Sequence, residues 1–336
     1  MAKSQEHPNR TRDIKSGQES RHDGRAVMQP EQRAKVAFHS VAAESLYRIL
    51  FSIGHKVGFH ITRNNFYSPL PDTRNLPATL WSKTSDLLGV NLNEERQLGR
   101  LDIFESQFRK EYKEFPREAT PIPFQYHVNN HAFESVDGEL LYCMIRHFKP
   151  RRFLEIGSGN STFLAAQAIL KNVSEDPTNS CDLTAVDPFS SQVHQQGFPG
   201  LSTVLRCGVQ ELPFSRFEQL EPNDILFIDS SHILKIGSDV QYLFLEVLPR
   251  LPKGVVVHVH DIFLPAEYPK EWILKKIRFW NEQYLLQSFL TFNDFFEVLW
   301  AGNFMHLKHP GRLEKAFPSY SRENRRPGSF WMQRIK

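Results

Sequence analysis

The chain has 336 residues, with 40% apolar, 24% charged and 12% aromatic side chains, a balance that suits a soluble globular protein of one and a half to two domains and excludes fibrous classes. Its formal charge is +3, and residues 1–35 alone hold eight basic and five acidic side chains. The remainder is therefore near neutral, which argues against a nucleic-acid-binding face.

Cys143, Cys181 and Cys207 show no metal-type spacing and are too few to staple a chain of this length, so they read as reduced thiols in a cytoplasmic protein. No run approaches the roughly 18 apolar residues of a spanning helix. The N-terminus has Lys3 and Arg10 but no apolar stretch behind them, so neither a membrane nor a secretory signal is expected.

Residues 1–35 lack any aromatic side chain and are rich in Gln, Arg, Ser and Glu, a composition expected to stay disordered because it buries too little apolar surface. Residues 36–136 read as a mostly helical cap. Val41, Leu46, Ile49 and Leu50 recur at helical spacing, as do Leu98, Leu101, Phe104 and Phe108. Two aromatic loops, Phe66 to Pro71 and Tyr126 to His131, read either as lids over an acceptor or as linkers packed on the cap.

From Asp137 to the C-terminus short apolar runs alternate with helical segments, the pattern of an α/β domain with a mostly parallel sheet covered on both faces. The predicted strands are Arg152–Ile156, Leu183–Asp187, Thr203–Arg206, Ile225–Asp229 and Val255–His260, followed by Phe295–Trp300 and Ser329–Gln333. A long helical stretch is expected from about Lys270 to Leu290. Five strand-helix units and a terminal strand pair predict a doubly wound, seven-stranded sheet in residues 137–336.

The chemistry begins at Phe153-Leu-Glu-Ile-Gly-Ser-Gly-Asn-Ser-Thr162. A buried strand delivers Glu155, Gly157 lets the chain turn, Ser158 and Gly159 follow where backbone can approach a ligand, and Ser161 or Thr162 can cap the next helix. Ligands of open α/β sheets bind at the carboxyl ends of strands, beside helix N-termini. A dinucleotide fingerprint would carry a third glycine and an acidic residue about 20 positions on. Here Thr162 replaces that glycine, and the interval from Gly157 to Asp187 is 30 residues. Both departures disfavour a nicotinamide-dependent oxidoreductase.

The segment instead resembles the first motif of class I S-adenosylmethionine-dependent methyltransferases. That resemblance implies S-adenosylmethionine as cofactor, with Asp187 as acceptor for both ribose hydroxyls and Gln210, beside Val209, at the adenine. Phe227-Ile-Asp-Ser-Ser-His232 and Val257-His-Val-His-Asp261 further resemble a bacterial subgroup with Asp-x-x-His after the fourth strand and His-Asp after the fifth. The likeness runs through Leu264 to Pro269 and Phe279 to Tyr284, covering roughly residues 130–336.

The implied activity is methyl transfer to a small polar acceptor, with oxygen preferred to nitrogen because a hydroxyl most needs deprotonation. His260 and His232 are the candidate bases, with Asp261 beside them and Asp229 on the cofactor side. His258 reads as structural. Asp229 and Asp261 end adjacent strands and suit a shared divalent cation, as in catechol-type O-methyltransferases. Ile262 stands where those enzymes carry Asn, so metal dependence stays open unless His232 or His260 replaces that ligand. The rival from another class is a non-catalytic scaffold of the same fold. Four ionisable groups at strand ends argue against it.

Overall fold

The structure, a computed structural model, describes residues 30–62, 64–65, 67–323 and 326–336, with side chains from residue 43 onward. The expected disorder of the tail falls, for residues 1–29, outside the described residues, as does Phe66 of the first aromatic loop. Residues 30–35 instead open the helix Pro30–Lys56. Proline at the first helical position loses no hydrogen bond, and the Glu-Gln-Arg-Ala that follows consists of good helix formers.

The chain divides into two units, one ending at Pro69 and one starting at Leu70. In the first, the helix stops where Gly58 takes a left-handed turn, φ 84°, and the amide of Phe59 donates to Gly54 O at 2.8 Å. Tyr67 is exposed there.

The second unit is built on a seven-stranded sheet of β1 Arg152–Ile156, β2 Asp182–Val186, β3 Thr203–Leu205, β4 Ile225–Ile228, β5 Val256–Val259, β6 Phe296–Ala301 and β7 Phe330–Arg334. Its order is β3-β2-β1-β4-β5-β7-β6. All neighbours pair in parallel except β7, which runs antiparallel to both β5 and β6. The topology reverses between β1 and β4, which leaves a crevice at their carboxyl ends.

Alternation along the strands assigns the two faces. Phe153 and Phe227 join one apolar cluster, whereas Leu154, Ile156, Leu226 and Ile228 join the other. Both faces are covered, so these strands are mostly apolar, with Glu155 the buried exception in β1.

Helix Glu94–Tyr112, expected as part of the cap, packs on the first face: Leu101, Phe104, Phe108 and Tyr112 share a cluster with Phe153, Trp300 and Leu313. A buried arginine fastens it. Nε of Arg146, on helix Asp137–Phe148, donates to Glu111 at 2.9 Å, and its Nη2 donates to Glu175 at 2.7 Å, so three helices share one desolvated cation. The expected long helix from Lys270 to Leu290 is broken into Lys270–Leu274 and Glu282–Leu290. Ile277 adopts φ 55°, and the Arg278 amide donates back to Trp272 O at 2.9 Å. Among the described residues no helix is long and apolar enough to cross a membrane.

Candidate active site

At the end of β1, Glu155 is 1% exposed. Ser161 Oγ donates to its Oε1 at 2.6 Å, while its Oε2 is buried without a partner. Burial pushes this carboxyl up to about 8 against the opposing effect of Ser161 and Thr162, with Asp229 and Asp187 adding to the rise. The folded protein thus keeps a proton that the unfolded chain releases near 4.5. The stabilisation is complete below that value and is lost as pH rises through about 8. Glu155→Gln, which cannot ionise, should therefore match the wild type in melting temperature at about pH 5 and exceed it increasingly toward about pH 9. Scanning calorimetry of the ligand-free protein reads this directly.

Ser161, expected as a possible helix cap, is instead committed to Glu155. Thr162 Oγ1 accepts the Gly159 amide at 3.0 Å and closes the first turn of helix Asn160–Glu175. Gly157, at φ 107°, crosses between strands: a Cβ there would meet the Asp229 carbonyl oxygen at 2.3 Å. Gly159 is extended, φ 179°, and a Cβ there would meet nothing within 4 Å. Its backbone does not demand glycine, but it lines open space.

Asp187 follows β2 directly. Its Oδ2 accepts from Ser158 Oγ at 2.6 Å and its Oδ1 from the Phe189 amide at 2.7 Å, so the first-strand turn and the second-strand carboxylate are tied together. Gln210 faces elsewhere. Its Nε2 donates to Gly237 O at 3.1 Å, because a backbone carbonyl across the loop satisfies the carboxamide, and it does not line the cleft described next.

That cleft, about 950 Å³, runs from Ser158, Gly159, Asn160 and Ser161 to Asp229, His260 and Asp261. His232 stands behind this floor, 6% exposed. Its Nε2 lies 3.3 Å from Asp229 Oδ1 and 3.7 Å from Asp261 Oδ2, and its Nδ1 lies 2.9 Å from Glu282 Oε2. His260, 4% exposed, has Nε2 3.7 Å from Asp261 Oδ1 and a buried, unpartnered Nδ1. His232 and Asp261 both hold positive φ, 60° and 56°. Two such residues at one spot indicate a backbone bent to bring these side chains together.

Burial alone would depress both imidazoles. The Asp229 and Glu282 hydrogen bonds and Asp261 outweigh it at His232, which is held well above its ordinary range. Asp261, Asp229 and Asp137 likewise raise His260. Partial burial pushes Asp229 up, but His260 and His232 more than cancel it, so this carboxyl is held below its usual range. His258 differs: fully buried, it stacks on Phe227 at 3.9 Å, its Nε2 lies 3.1 Å from Ser329 Oγ, and burial drives it well below its usual value.

Sequence reasoning did not reach Glu282 or Asp137. Glu282, in the Phe279 to Tyr284 segment, fixes His232 from 50 residues away. Its neighbour Gln283 accepts the Phe263 amide at 3.1 Å, and the Trp280 ring lies 4.2 Å from His232. That polar and aromatic run was the available signal. Asp137, 7% exposed, accepts the amides of Gly328 and Ser329 at 2.9 Å each and lines the cleft. Of the second aromatic loop, Tyr126 is fully buried, its hydroxyl donating to Phe133 O at 3.0 Å, while His131 lines the cleft.

Residues 154–262 match the family described as Methyltransferase domain. A protein of Archaeoglobus fulgidus, described only as uncharacterized, is 30% identical over 201 residues, which span 56% of this chain and 88% of that one. Among solved structures, the O-methyltransferase TomG from Streptomyces achromogenes with SAM is 15% identical, covering 70% of this chain and 90% of its own, at a TM-score of 0.37. The O-methyltransferase from Bacillus cereus with SAH is 14% identical over 71% and 91%, at 0.33. The family match makes residues 154–262 a methyltransferase domain, and the strand order with its antiparallel seventh strand is that of the class I S-adenosylmethionine-dependent methyltransferase fold.

Proposed function

We propose that the chain transfers a methyl group from S-adenosylmethionine to a hydroxyl of a small polar acceptor. One observation carries this reading: a single cleft joins the Ser158–Ser161 turn to Asp229, His260 and Asp261. The residues present fit the cofactor. Asp187 is not itself in the cleft lining but accepts from Ser158, which is, and its carboxylate has lone pairs beyond those taken by Ser158 and Phe189 for a ribose diol, while Glu155 holds an unpartnered buried oxygen beside the turn. Bound S-adenosylmethionine supplies a methyl group already activated on sulfur.

The protein then has to hold an acceptor oxygen in line and take its proton, and positioning supplies a large part of the acceleration. Asp229 is an anion at neutral pH and orients the acceptor hydroxyl, while His260 receives the proton once it is itself neutral. The cofactor claim is tested by isothermal titration with S-adenosylhomocysteine. Wild type is expected to bind, and Asp187→Ala to bind about 100-fold more weakly, as the loss of two charge-assisted hydrogen bonds requires. No heat with the wild type, or an unchanged affinity in the variant, would refute it.

A second reading is favoured by one further observation. Asp229, His232 and Asp261 each offer a ligand atom, all within 4.8 Å of one another, and the Glu282 bond to Nδ1 is the kind of outer contact that orients a ligating imidazole. These residues fit a divalent cation, with His232 in the place of the oxygen ligand that buried Ile262 cannot provide. Such an ion would polarise the acceptor oxygen.

A further inference from the structure

Resting on that reading, we propose that the outer part of the cleft is an anion receptor, so that the acceptor carries a carboxylate or phosphate group as well as its hydroxyl. Lys270, Lys276 and Arg278 from one segment of the chain and Arg322 and Arg326 from another line the cleft. Among the described residues none of these five forms an ion pair with a carboxylate.

The acids of the same rim are mostly committed. Glu271 lies 3.4 Å from Lys275 Nζ, and Glu134 accepts the His131 amide at 2.6 Å. Asp137 takes the Gly328 and Ser329 amides, Asp229 and Asp261 serve the histidines below, and Glu323 remains on the rim as a counter-charge. Like charges gathered around one recess repel, and a bound anion relieves that repulsion.

Arg278 is held for this task. Its guanidinium lies 5.1 Å from the Trp272 ring centroid and 4.9 Å from that of Trp280, the two rings standing 5.0 Å apart at 81°. The two rings hold the guanidinium by cation–π contact, and among the described residues none of its side-chain N–H groups has a hydrogen-bond partner, which leaves them for bidentate binding of a carboxylate or phosphate. The break at Ile277 and the Arg278 amide bond to Trp272 O fold the segment back so that these groups meet. Arg322 and Arg326 lie close enough to His306 to add to the lowering that burial imposes on it, while Tyr320 holds its Nδ1 at 2.8 Å.

The experiment titrates the full chain at constant ionic strength with inorganic phosphate, with 3,4-dihydroxybenzoate and with its neutral amide, reading tryptophan fluorescence and heat. At least one anion is expected to saturate at least about tenfold more tightly than the amide. Arg278→Gln and the double variant Arg322→Gln/Arg326→Gln should each weaken it by about tenfold or more, with S-adenosylhomocysteine affinity within about twofold of wild type. Saturation by phosphate alone assigns a phosphorylated acceptor, and by the benzoate alone a carboxylated one.

The proposal is overturned by absence of saturable anion binding, by a preference that survives both variants, or by competition between the anion and S-adenosylhomocysteine, which would give these cations to the cofactor's own carboxylate. Failure of S-adenosylhomocysteine to bind would remove the methyltransferase reading while leaving the anion result standing.

Discussion

Gly157→Ala should lower the melting temperature by about 10 °C, while Gly159→Ala, two residues on, should leave it within about 1 °C. The added methyl at Gly157 would sit 2.3 Å from the Asp229 carbonyl oxygen, a contact that backbone must give way to. Neither chain can retreat easily. The Gly157 amide donates to Val186 O and the Asp229 amide to Ile156 O, both at 2.9 Å, so the turn is pinned between β2 and β4. The φ of 107° adds strain for any side chain. Together these penalties are on the order of 4 kcal/mol, in the class of severe single substitutions. At Gly159 the backbone is extended and the methyl meets open cleft, so folding is spared and only ligand affinity should suffer. Thermal melts of the two variants beside the wild type give the comparison, and equal melting temperatures would contradict the geometry.

His260→Ala should lose about 10²–10⁴-fold in turnover while keeping its affinity for S-adenosylhomocysteine within about threefold. The acceptor for this measurement comes from a labelled-methyl screen of hydroxylated metabolites. Burial lowers His260, but Asp261, Asp229 and Asp137 outweigh it and hold the imidazole above its ordinary range, so it becomes able to accept a proton only at higher pH than a free imidazole. The sign follows. kcat/KM of the wild type should climb with pH through a value above about 6.5, as the imidazole becomes neutral, and that limb should be missing in His260→Ala. Adding a chelator separates the two readings of the floor. Loss of wild-type turnover with chelator, coupled to a mild effect of His260→Ala, would transfer the activation to an ion on Asp229, His232 and Asp261. Indifference to chelator would leave it with His260.

The number of the strands and their positions along the chain were legible in the sequence, as were the turn at Gly157 and the acids at strand ends, because each depends on local rules. A strand buried on both faces must be mostly apolar, and the chain leaving β1 turns at Gly157, where glycine permits it. The structure moves the predicted strand bounds by no more than one residue, with β1 unchanged. Asp187 and Asp229 follow a strand end directly and Asp261 stands two residues past the end of β5, where an ionised side chain leaves the buried run and reaches the crevice.

What only the tertiary structure decided are partnerships between distant segments. Glu282 reaches His232, Arg146 draws helix Glu94–Tyr112 onto the sheet, Gln210 turns to Gly237, and Trp272 and Trp280 close on Arg278 because the chain bends at Ile277. In each case a polar or charged group takes its partner from whatever the packed chain brings within reach. Apolar periodicity sets which residues are buried, and it carries no information about which buried polar group will meet which.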